Sequence, residues 1–150
     1  MDEIDRLVRR LTPEDRRVIA FLDLQRLQVE NARRKFQATK PIYGVLDRLR
    51  FWSILAGHME DDWQGLDHYM VYEYLNDLTV RNGIEEVLDA MPPGLRAKVR
   101  VCLDELDRRY QAVTHDDGGA ELAQYWRPLA EGEETRWWWT RRPDVLPPGW

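Results

Sequence analysis

Residues 91–113 read MPPGLRAKVRVCLDELDRRYQAV. Met91-Pro92-Pro93-Gly94 stops any helix that precedes it, because proline has no amide proton to donate and its ring crowds the preceding turn. Beyond the stop, Leu95, Val99, Cys102, Leu103, Leu106, Tyr110 and Val113 recur at the spacing of one helix face. The other face carries Arg96, Lys98, Asp104, Asp107 and Arg108. So clean a division predicts an amphipathic helix and sets the period against which the rest of the chain is read.

Upstream, Val80, Ile84, Val87, Leu88 and Met91 form one stripe. Leu66, Met70, Tyr74 and Leu78, with Val71 and Leu75 beside them, form another. The two are rotated by about a quarter turn at 100° per residue. With the turn signal Asn82-Gly83 between them, a break or bend is expected near 79–83. The helix carrying the earlier stripe is expected to begin near Trp63, after a polar link His58-Met59-Glu60-Asp61-Asp62. Before that link, Ile42, Val45, Leu46, Leu49, Trp52 and Leu55 repeat helically up to Gly57.

The first helix is predicted from Thr12 as cap and Pro13 at the first helical position. It runs to about Ala38, before a break at Lys40-Pro41, and is about 39 Å long at 1.5 Å per residue. Val18, Leu22, Gln25, Val29, Ala32 and Phe36 line one side, and Leu24 and Leu27 lie off it. That pattern predicts a central helix, with a dimer or partner seam as the alternative. Downstream, His115–Gly119 reads as a loop and Ala120–Trp126 as a short helix ending before Pro128. The remainder has no period, and no segment shows a strand pattern.

The fold class expected is all-α: a bundle of four to five main helices over residues 1–128. An irregular Trp/Pro-rich strap, residues 129–150, packs on the same domain. The run YLNDLTVRNGIEEVLDAMPPGLRAKVRVCLDELDRRYQAVT (74–114), with WWW at 137–139, resembles a pattern in small uncharacterised helical proteins of high-GC bacteria. Nineteen arginines against three lysines agree with such a genome. The resemblance implies a bacterial helical protein and transfers no activity.

Charge is uneven along the chain. Residues 1–50 hold 12 basic and 8 acidic side chains, residues 51–134 hold 7 and 18, and the last sixteen hold 3 and 1. Nonspecific nucleic-acid binding draws on clustered positive charge, so an acidic middle argues against it and favours a basic protein partner. A single cysteine excludes an internal disulfide. The opening MDEIDRLVRR lacks a signal-peptide apolar run, and no stretch approaches a membrane span, so a cytoplasmic, non-membrane protein is expected. Monomer and homodimer both remain open.

Catalytic signals are sparse. His58, Asp62 and His68 are the one combination suited to a metal, an alternative that would make the chain a metal-binding enzyme or sensor. The di-metal bundle signature and His-Glu-x-x-His are both missing, so no cofactor is expected. Ser53 sits mid-helix without a general base nearby, and Cys102 falls on an apolar stripe. Arg26, Arg33, Arg34 and Lys35 form the strongest basic patch and support a third reading, a nucleic-acid-linked regulator.

The tail, ETRWWWTRRPDVLPPGW (134–150), is too short and too charged for a membrane. If it is extended, Trp137 and Trp139 point inward and Trp138 outward. The function expected is therefore a non-catalytic protein-binding module. Its surface is Glu60, Asp61, Asp62 and Asp67, with Trp63 and Trp138 as anchors. An immunity protein neutralising a basic bacterial toxin is its narrower form.

Overall fold

The computed structural model describes residues 1–34 and 43–150. Lys35, Phe36, Ile42, the predicted helix end near Ala38 and the Lys40-Pro41 break lie outside the described residues. Among those described, the fold is all-α, with an irregular Trp/Pro-rich C-terminal strap. The helices are α1 Glu3–Arg10, α2 Pro13–Arg34, α3 Val45–Glu60, α4 Val71–Asp89, α5 Pro93–Ala112 and the single turn α6 Arg127–Ala130. Two short strands, β1 Thr114–Asp116 and β2 Arg141–Pro143, pair antiparallel with His115 opposite Arg142. These strands correct the reading of 115–119 as loop alone. Three residues are too few to show an alternating pattern.

The chain divides into two compact units, Met1–Phe51 with Asn82–Glu105, and Trp52–Arg81 with Leu106–Trp150. In the first unit, α1 was not anticipated, although Asp2 accepts from the Asp5 amide at 2.8 Å as its cap and Ile4 and Leu7 are buried. Thr12 caps α2 as expected. Its hydroxyl accepts from the Asp15 amide at 3.0 Å, and Asp15 accepts from the Thr12 amide at 2.9 Å. This reciprocal pair satisfies two otherwise orphaned donors. Helix α2 departs from the central role expected of it. Only Ile19 and Leu22 are buried, while Phe21 and Val29 stand 59% and 64% exposed. Arg96 donates to the Leu88 and Met91 carbonyls, both at 2.9 Å, closing the end of α4.

Helix α4 runs unbroken through Asn82-Gly83, correcting the expected bend. The rotation of its apolar stripe has another cause. Tyr74, Leu75 and Leu78 are core residues of the second unit, whereas Ile84 and Leu88 are core residues of the first. The first part of α4 thus belongs to one unit and the last part to the other. In α5, Leu95, Val99, Cys102, Leu103, Leu106 and Tyr110 are all buried, as the period required. Asp107, expected outward, is buried as well.

In the second unit, α3 continues past Gly57 to Glu60, and α4 begins at Val71 rather than Trp63. The short helix expected over Ala120–Trp126 is a 3-10 turn, Leu122–Gln124, and α6 then carries Pro128 in its first turn, where the missing amide proton costs nothing. Residues 137–140 form another 3-10 turn that leads into β2.

Candidate functional site

The acidic loop grows out of the end of α3. The Trp63 amide donates to the His58 carbonyl at 2.7 Å and the Asp62 amide to the Met59 carbonyl at 3.1 Å. These two bonds make a Schellman closure, in which the residue after the cap adopts a left-handed conformation. Glycine usually fills that position; here Asp62 does, with φ 50°, and Trp63 follows at φ 62°. A left-handed tryptophan is costly, and its surroundings hold it there. The Trp63 indole is buried, its Nε1 donates to the Val145 carbonyl at 2.7 Å, and its ring lies 4.8 Å from that of Tyr69. The Tyr69 amide donates to the Pro148 carbonyl at 2.7 Å, and the Tyr69 hydroxyl donates to the Asp77 carboxylate.

The loop is thus pinned at Trp63 and again at Tyr69, both times to the C-terminal strap. Between and beside these pins, Glu60, Asp61, Asp62 and Asp67 are exposed. Glu60 accepts from Arg109 Nε at 2.9 Å and Nη2 at 2.5 Å, so its charge is largely answered within the chain. Asp61, Asp62 and Asp67 make no side-chain hydrogen bond or ion pair among the described residues. Met70 and Tyr72 follow directly, 43% and 57% exposed, and Tyr72 meets the exposed Tyr125 edge to face at 6.4 Å. Further along α4, burial pushes the Asp77 carboxyl up to about 6; the bond from Tyr69 opposes this and Glu73 adds to it. Burial and Asp77 together drive the Tyr69 phenol well above its ordinary range.

Both expected tryptophan anchors are corrected. Trp63 is 3% exposed and Trp138 also 3%, and Trp139 is fully buried. The alternation expected of an extended tail does not occur, because 137–140 is a 3-10 turn whose consecutive side chains fan around an axis. Trp138 lies under the Arg81 guanidinium at 4.1 Å. Arg81, 1% exposed, donates to Asp107 through Nε at 3.0 Å and Nη2 at 2.9 Å, and Trp52 Nε1 donates to the same carboxylate at 2.9 Å. Trp139 stacks on Trp126 at 4.9 Å and 9°. The Tyr74 and Tyr110 hydroxyls meet at 2.6 Å, and Tyr110 donates to the Trp138 carbonyl at 3.0 Å. These groups form the interior of the second unit. Asp107 follows Leu103 by one helical turn, on the flank of the apolar stripe, which was the available sign of its burial.

The remaining candidates do not assemble. No group of three or more His, Cys, Asp or Glu side chains among the described residues is placed to hold a metal ion, so His58, Asp62 and His68 are not brought together. Ser53 accepts from Arg109 Nη1 at 3.0 Å. Cys102 is buried, and burial pushes its thiol up to about 12, leaving it protonated. Of the basic patch, Arg34 pairs with Glu30 at 3.1 Å and Arg33 is exposed. No helix among the described residues is long and apolar enough to cross a membrane. Comparison with protein-family models, curated proteins and solved structures finds no match.

Proposed function

We propose that this chain is a non-catalytic protein-binding module whose acidic loop, residues 60–67, recognises a basic protein. The observation that carries this reading is the set of Asp61, Asp62 and Asp67, exposed and without internal partners among the described residues, on a loop held at both ends. Fixed like charges raise the encounter rate with an oppositely charged surface and reject acidic ones. Trp63 takes the role of a support that orients these carboxylates. Met70, Tyr72 and Tyr125 replace it and Trp138 as the aromatic and thioether contacts, since such side chains bury large area on binding. In its narrower form the basic partner is a bacterial toxin whose active surface the loop covers. Small size and an acidic middle support that form.

The test is affinity capture from the native cell, with elution by rising salt. The expected result is a basic protein released at moderate salt, because charge-driven contacts are screened within about 10 Å at 0.1 M. For the toxin form, co-production of the chain should protect cells from that protein. Absence of any salt-sensitive partner would overturn the reading.

A further inference from the structure

Arg48, on α3 in the first unit, is 8% exposed. A guanidinium placed so deeply ordinarily meets a carboxylate. Arg48 meets a second cation instead. A Cβ on Gly83 of α4 would lie 3.1 Å from Arg48 Nη1, and 3.2 and 3.3 Å from the two terminal nitrogens of Arg26 on α2. The two guanidinium groups therefore converge on one point, and the missing glycine side chain leaves room for them. Neither Arg26 nor Arg48 makes a side-chain hydrogen bond or ion pair among the described residues.

The neighbouring carboxylates are engaged elsewhere. Asp23 accepts from the Val45 amide at 3.0 Å, and Glu30 pairs with Arg34 at 3.1 Å. They and Glu86 act on Arg48 only through longer-range attraction. Residues 35–42, KFQATKPI, contain no carboxylate that could serve. Burial, followed by the repulsion from Arg26, lowers the Arg48 pKa to about 10, so the group is still charged at neutral pH. Two like charges, one of them buried, thus face the same point over Gly83.

We infer that Arg26 and Arg48, converging over Gly83, form a binding site for a small oxyanion of the phosphate class. Each guanidinium presents parallel N–H donors that fit two oxygens of a tetrahedral anion. The depth of Arg48 favours a compact anion over the backbone of a long nucleic acid.

The experiment compares the wild type with Arg26→Gln and Arg48→Met in inorganic phosphate and in chloride at equal ionic strength, by thermal unfolding and calorimetry. Phosphate should raise the wild-type Tm above its value in chloride, and each substitution should weaken phosphate binding about tenfold or more, as loss of a charge-assisted fork requires. Arg48→Met should also raise the Tm in chloride, because it removes a buried charge that no carboxylate pairs directly and that a second cation repels. If Arg48→Met does not fold, Arg26→Gln, at a half-buried position, still decides. Adenosine monophosphate binding more tightly than phosphate would assign the anion to a phosphomonoester; tighter phosphate would assign it to the free ion. Equal wild-type Tm in phosphate and chloride, unchanged affinity in Arg26→Gln, or binding of a short single-stranded DNA without binding of phosphate would overturn the site.

Discussion

The second unit holds two groups of residues that look equally surplus in the sequence, its tryptophans and its loop carboxylates, and it treats them oppositely. Trp52, Trp63, Trp138 and Trp139 are all buried, each fixed by a ring contact or a hydrogen bond. Asp61, Asp62 and Asp67 stay in water without internal partners among the described residues. Transfer energetics explain the split. An indole gains by leaving water once its N–H is answered, whereas a carboxylate must find a cation or remain outside. Asp107 found that cation in Arg81; the loop aspartates did not. The buried indoles of Trp52, Trp63, Trp138 and Trp139 therefore mark the interior here, and charge surplus marks the contact surface.

The sharpest break of this contrast lies in the interior. Trp139→Ala should cost about 3–5 kcal/mol through the cavity it leaves beside Trp126, read by urea denaturation; a loss below about 1 kcal/mol would mean that the indole stack is not core. Asp107→Asn should cost about 3–5 kcal/mol, because it removes the carboxylate charge that meets the buried Arg81 guanidinium through two hydrogen bonds. Wild-type-like stability in that variant would remove the buried pair from the fold's essentials.

Asp77 adds a pH dependence. Its carboxyl is held at about 6 in the folded protein against an ordinary value of 3.8. The folded state binds this proton more tightly, so the contribution is fully present below about pH 4 and is lost as pH rises through about 6, by up to about 3 kcal/mol. Asp77→Asn should flatten the fall in stability between pH 4 and 7; an unchanged slope would assign it to other groups. Asp62→Gly should stabilise by about 1 kcal/mol, since glycine relieves the left-handed backbone at the end of α3. A destabilised variant would show that the Asp62 side chain supports the turn.

Much of this fold could be read from the sequence. The Pro-Pro stop and the stripe of α5 stood out because proline and periodicity act locally. The continuous α4 did not, because its apolar stripe shifts along the helix and Asn82-Gly83 imitates a turn. Gly83 instead makes room for Arg26 and Arg48. The exposed acids were legible as a polar link between helices. The burial of Trp63 and Trp138 was not, since it rests on a left-handed turn, a 3-10 turn and a partner at Val145, all outside any local window.

The most direct test neutralises the loop while leaving the interior intact. Asp61, Asp62 and Asp67 are replaced together by Asn, and both stability and association with the captured basic partner are measured. Stability should stay within about 0.5 kcal/mol, as for exposed positions generally. Association should slow about tenfold or more and lose most of its salt dependence. A variant that binds at the wild-type rate with the wild-type salt dependence would contradict the loop's role as the contact surface.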